Sequence, residues 1–331
     1  MATNLLPTAN ISTKSARVGT EGHQNCDDAA VSESETRPRF VNAHSHTFQR
    51  ALRASREGGD FWGWRDAMLA LAERQTPDIV RTSYEDTYRE MRAAGYAAVG
   101  EFHYLGLDEA RAAAEAADEA GITLVVLLAA YARGGLERFR QESPANYFRQ
   151  LDQLRDEGIR VGLAPHSVRA CPRDWLEEIG RRADADRLVL HVHADEQPRE
   201  IEECLAEHGL RPIELLADAA CLGPSTTVVH ATHADDHELD LLAQAGSRIC
   251  ACPTTEADLG DGFLPTLAIQ ERGIPLCIGS DANVSLDPQR ELQEIEWIAR
   301  RQALRRGIFA PETLDDFGTR HGAAALGIDP P

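Results

Sequence analysis

Two histidines stand two residues apart in the stretch RFVNAHSHTFQRA, at the close of a short apolar run. On a β-strand, residues i and i+2 face the same side, so His44 and His46 would project together from the strand's C-terminal end. A pair of neutral imidazoles held that way is a metal-ligand geometry, although His-x-His alone is also an ordinary surface feature. Further ionisable side chains close other apolar runs in the same manner. Glu101, His103 and Tyr104 follow YAAVGEF, and His166 ends GLAPH with Arg169 just beyond. His191 and His193 end LVLHVH with Glu196 after them, His230 and His233 end VVHATH, and Ser280 and Asp281 end LCIGSD. Two histidines of the first run, one from the HVH run and Asp281 suit a divalent ion such as Zn2+, which accepts N and O ligands and keeps a position open for water when catalytic.

The elements that would carry these groups are short apolar runs alternating with longer amphipathic ones. The strands are expected at 39–44, 96–103, 122–130, 159–166, 187–193, 226–232, 247–253 and 274–281. Helical patterns lie between them at 108–120, 145–157, 197–208 and 235–245, several closed by a glycine, as helix C-termini often are. Eight β-then-α units predict a parallel (β/α)8 barrel, whose functional groups gather at the C-terminal ends of the strands. Residues 1–37, rich in Ser, Thr, Asn, Asp and Glu without a sustained period, are expected to form a flexible or irregular arm, and 38–331 the barrel domain.

Composition narrows the partners. Of 331 residues, 34 are Lys or Arg and 54 Asp or Glu, a net charge of −20 that argues against nucleic acid and anionic membrane and leaves small molecules. The seven cysteines show no CxxC or zinc-ribbon spacing and are expected to be reduced thiols. With no apolar run long enough to span a bilayer and no basic-then-apolar leader, a cytoplasmic enzyme is expected, with a homo-oligomer such as a dimer compatible with the reading.

The pattern resembles the amidohydrolase superfamily, and the absence of a lysine at the end of the fourth strand directs the resemblance to its mononuclear deaminases. NAHSHTFQRA, FWGWR, VGEFHYL, GLAPHSVRA, HVHADEQPREIEECL, VVHATH, CPTTEADLGDG and GSDANVSLDP together are similar to the formimidoylglutamate deiminase family, over 39 to about 325. That resemblance implies hydrolysis of N-formimino-L-glutamate to N-formyl-L-glutamate and ammonia, a step of histidine degradation. It implies one divalent ion, foremost Zn2+, on His44, His46, His193 and Asp281; the choice of His193 over His191 rests on it. Glu196 would shuttle protons, Asp281 would share in taking the proton of the attacking water, and His230 would orient that water. Gln49, Arg65, Tyr104, His166 and Arg169 would hold a dicarboxylate amidine, arginine being suited to carboxylates by its planar fork. The CPTTEADLGDG segment is expected to line the mouth.

The chain also departs from the resemblance. Members of the superfamily carry a small β-sandwich built from both chain ends; here the N-terminal segment is unpatterned and only 50 residues follow Asp281, so the sandwich is expected to be missing. The connections after the second and third strands are short, which predicts an open pocket roof. Rival expectations are a deaminase of purines or pyrimidines, marked by stacking aromatics at the mouth, and a non-catalytic relic that binds metal or a partner.

Overall fold

The computed structural model describes residues 39–53 and 59–331; the arm expected over 1–37 lies outside the described residues. Eight parallel strands run in chain order through one sheet: β1 Phe40–Ser45, β2 Tyr96–His103, β3 Thr123–Ala130, β4 Val161–Pro165, β5 Leu190–Ala194, β6 Thr226–His230, β7 Arg248–Ala251 and β8 Leu276–Ile278. The fold is the (β/α)8 barrel, and among the described residues every strand belongs to it. The strands are short and almost wholly buried on both faces, as expected when helices cover the outside of a parallel sheet and side chains fill the inside.

The helices start and stop where local chemistry dictates. Thr76 accepts from the amide of Ile79 with Pro77 following, Ser143 accepts from Asn146 before Pro144, and Asp235 with Glu238 forms a reciprocal capping box. FWGWR opens the helix Phe61–Glu73, with Asp60 as its N-cap, and CPTTEADL supplies the short helix Pro253–Leu259. No helix among the described residues is long and apolar enough to cross a membrane.

The seam between β8 and β1 determines the site. The amides of Ser280 and Asp281 both donate to the carbonyl of His44, at 3.0 Å each, and the amide of His46 donates to the carbonyl of Asp281 at 2.9 Å. This stitching brings the ends of the first and last strands side by side. It requires glycine at 279, because a Cβ there would come within 2.8 Å of His44 Cβ. Beneath the seam Asn42, Ser280 and Asn283 form a buried chain of hydrogen bonds 2.6–2.9 Å long. Asp281 itself takes φ 39°, and His230 and Ala231 at the end of β6 take 74° and 53°. Non-glycine residues rarely adopt such angles, and they tend to cluster where a side chain must be aimed.

Candidate active site

His44, His46, His193 and Asp281 converge at the C-terminal mouth of the barrel, each contributing one ligand atom, all four within 4.8 Å of one another. His44 Nε2 lies 3.1 Å from His193 Nε2 and 3.3 Å from Asp281 Oδ1, while His46 Nε2 lies 3.4 Å from each of the same two atoms. The outer nitrogens decide what this cluster can be. His46 Nδ1 donates to the carbonyl of Phe102 and His193 Nδ1 to that of His166, both at 3.0 Å. Both facing Nε2 atoms of the neutral rings therefore carry lone pairs, and at 3.4 Å they have no proton to share. Burial, foremost, pushes His44 down to about 3 and holds His46 and His193 below the usual histidine range, so the rings are neutral. Burial opposes the charge of Asp281, yet the hydrogen bond from His44 and the nearby His46 keep its carboxyl below the usual range. Two inward lone pairs, from His46 and His193, with the adjacent His44 Nε2 and a carboxylate fit a divalent cation, and the backbone carbonyls behind His46 and His193 are the orienting partners metal-bound histidines require.

A second group adjoins the first. Glu196, His230 and Asp261 lie with their polar atoms within 4.8 Å of one another, all buried. His230 stands between two acids, its Nε2 3.5 Å from Glu196 Oε1 and its Nδ1 3.3 Å from Glu256 Oε1. Burial works against a charge on His230, but Glu196, Glu256 and Asp281 outweigh it and lift the imidazole to about 10. Burial, foremost, lifts Glu196 to about 7, partly countered by His230 and Arg169. A carboxyl poised near neutrality can both take and give a proton at physiological pH.

Both groups open into a cleft at the mouth of the barrel. Gln49, Arg65, Tyr104, His166 and Arg169 all line it, as do His46, His193, Glu196, His230 and Asp281. Gln49 donates to the Tyr104 hydroxyl at 3.0 Å. His166, held well below the usual range chiefly by burial and then by Arg169, is neutral and packs on Tyr131 with centroids 4.6 Å apart. Arg65 makes no hydrogen bond or ion pair among the described residues, whereas Arg133, also lining the cleft, is engaged by Glu207 at 2.7 and 2.8 Å. The roof comes from Phe61, Trp64, Arg65, Met68 and Leu69 of the helix Phe61–Glu73, and from Arg133, Gly134 and Gly135.

Several strand-end groups do not join the site. His103 bonds the carbonyl of Gly106 at 2.8 Å, His191 that of Ala325 at 2.8 Å, and His233 that of Asp261 at 2.7 Å; each ring secures a turn or a packing contact. Glu101 accepts from the amide and hydroxyl of Thr47 and so braces the turn that follows His46. The CPTTEADLGDG segment does not line the cleft either. It acts from behind, placing Glu256 against His230 and Asp261 beside Glu196. Glu200, Glu256 and Asp261 were not singled out by the sequence pattern. The one available signal is that Glu200 follows Glu196 by four residues, in the first turn of the helix Pro198–His208.

A (β/α)8 barrel with a buried three-histidine, one-aspartate cage at its C-terminal mouth, flanked by a poised acid, defines a metal-dependent hydrolase. The chain belongs to the amidohydrolase family, whose model matches residues 38–331. It is a hydrolase acting on carbon–nitrogen bonds, of the deaminase type. Formimidoylglutamate deiminase of Pseudomonas aeruginosa is 34% identical, over 92% of this chain and 74% of that protein. A crystal structure of an amidohydrolase from Brucella melitensis superposes with a TM-score of 0.81 at 32% identity, over 88% of this chain and 72% of that one. An adenosine deaminase from Xanthomonas campestris with bound zinc gives a TM-score of 0.78 at 25% identity, over 88% of this chain and 67% of that one.

Proposed function

We propose that the protein hydrolyses N-formimino-L-glutamate to N-formyl-L-glutamate and ammonia, with one zinc ion held by His44, His46, His193 and Asp281. The observation that carries this reading is the pairing, in one cleft, of the metal-binding cage with two arginines, Arg65 and Arg169, on the same wall system as Tyr104 and His166. When bound, the ion supplies hydroxide at neutral pH by lowering the pKa of water toward about 7.

The chain's own residues do the rest. Glu196 accepts one proton of the attacking water as its oxygen adds to the carbon of the cationic formimidoyl group, and Asp281 takes the second as the formyl C=O forms. His230, charged between Glu196 and Glu256, donates from Nε2 toward the developing tetrahedral centre. Glu196 then passes its proton to the terminal nitrogen, the C–N bond breaks, ammonia leaves and the formyl group remains on the amino acid nitrogen. Arg169 and Arg65 receive the carboxylates, Gln49 and Tyr104 close the far side, and neutral His166 accepts or donates a hydrogen bond without adding charge.

A second reading, deamination of a nucleoside, is favoured by the aromatic wall of Phe61, Trp64, Tyr104 and Tyr131 and by the adenosine deaminase relative. Part of that wall is already used: Tyr104 packs against Phe139 at 4.7 Å and Tyr131 against His166 at 4.6 Å. Ammonia release by the zinc-loaded protein from N-formimino-L-glutamate, adenosine and S-adenosylhomocysteine separates the two. Release from the first alone supports the deiminase; release from the nucleosides alone overturns it.

A further inference from the structure

Arg169 lies at an awkward distance from Glu196. Its Nη2 is 3.7 Å from Glu196 Oε2, within reach of an ion pair yet too long for a hydrogen bond. A half-buried guanidinium so near a buried carboxylate should close on it, because away from bulk water the attraction is strong. Glu200 supplies the restraint. This residue is fully buried in the first turn of the helix Pro198–His208, and its Oε1 takes the Nε edge of Arg169 at 3.3 Å. Its Oε2 accepts from the backbone amide of Glu196 at 3.2 Å. One carboxylate thus grips the arginine and the main chain of the acid that the arginine faces. The ring of Trp62 lies beyond, its centroid 6.0 Å from Arg169 Cζ.

We propose that Glu200 is a positioning residue that holds the Arg169 guanidinium off the Glu196 carboxylate. Glu196 is thereby left to carry protons and the Nη edge of Arg169 to receive a substrate anion. The inference rests on the proton-carrying role given to Glu196 above, and deepens it. Among the described residues, Glu196 is the sole other carboxylate paired with Arg169. If the charge of Glu200 is removed, the guanidinium has one anion left to turn to. A direct Arg169–Glu196 ion pair would fill the anion site and strip Glu196 of its basicity in the same movement.

Glu200→Gln keeps the shape and can still accept from the Glu196 amide. In a crystal structure of the metal-loaded variant, the Arg169–Glu196 gap is expected to close to about 3 Å, the length of a charge-assisted hydrogen bond. Turnover should fall at least about 10-fold, even on a formimino compound that has no carboxylate for Arg169 to bind. Adding Arg169→Met should then restore kcat on that compound to within about 3-fold of the Arg169→Met enzyme, because the intruding cation is gone. A general structural role for Glu200 would not be relieved by deleting its partner. An unclosed gap, or a loss that Arg169→Met leaves in place, overturns the proposal. If the natural enzyme turns over neither formimino compound, the deiminase reading fails and the gap alone decides the role of Glu200. Should Glu200→Gln not fold, the double variant decides: its folding supports a misplaced arginine as the fault, and its failure to fold overturns the idea.

Discussion

His230 Nε2 lies 3.5 Å from Glu196 Oε1, so the imidazole at the end of β6 and the acid beyond β5 face each other across the cleft. The other ring nitrogen is held by Glu256 at 3.3 Å, and Glu256 is itself fixed by the amide of Cys252 at 2.9 Å. Glu256 therefore holds the orientation of the imidazole and, with Glu196, favours its charged form. Glu256→Gln should lower kcat by about 10- to 100-fold while metal content stays at its original value, because the donor aimed at the reacting centre weakens. Steady-state kinetics with metal analysis on one preparation checks both halves.

The cage makes a stoichiometric prediction. Purified protein should carry about one tightly held divalent ion per chain, and His193→Ala or Asp281→Ala should strip it, since each removes one of four converging ligands. Elemental analysis after dialysis reads the result. Metal content unchanged in both variants would remove the basis of the ligand assignment.

Glu196→Gln keeps the side chain's shape and its place beside His230 while removing the base. Turnover should drop by a factor on the order of 100 or more with the metal retained. Near-normal turnover would move proton transfer to another group, Asp261 being the nearest carboxylate in that cluster.

Much of this arrangement was legible in the sequence, for definite reasons. All eight strands appear as apolar runs because a parallel sheet covered on both faces leaves no polar alternation to confuse them. Their ends shift by a few residues where the backbone leaves the sheet to aim a side chain: β8 stops at Ile278, and Asp281 rejoins β1 only through an isolated bridge to Ser45. Spacing alone does not show where a histidine's second nitrogen is satisfied, so it does not separate the strand-end residues His103, His191 and His233, each tied to a backbone carbonyl, from the histidines of the site. Glu256 was hidden for the opposite reason. It sits in the short helix Pro253–Leu259 while its partner, 26 residues earlier, ends β6, and nothing local marks the pair.

Arg169 gives the test of substrate class. If it pairs with a carboxylate of the substrate, Arg169→Met should cost about 2 to 5 kcal/mol in kcat/KM on N-formimino-L-glutamate, because a buried charge loses its partner. Metal binding should be unaffected. A formimino compound lacking that carboxylate should be a poor substrate and lose little further in the variant. Equal losses on both compounds would show that Arg169 reads no carboxylate.

The most direct test is to identify the products formed from N-formimino-L-glutamate by the zinc-loaded protein, using mass spectrometry alongside an ammonia assay. The account predicts N-formyl-L-glutamate and ammonia in equal amounts, formation of both abolished by His193→Ala and reduced by Glu196→Gln. Glutamate with formamide, which would mean cleavage of the other C–N bond, or an untouched substrate beside a deaminated nucleoside, would contradict it.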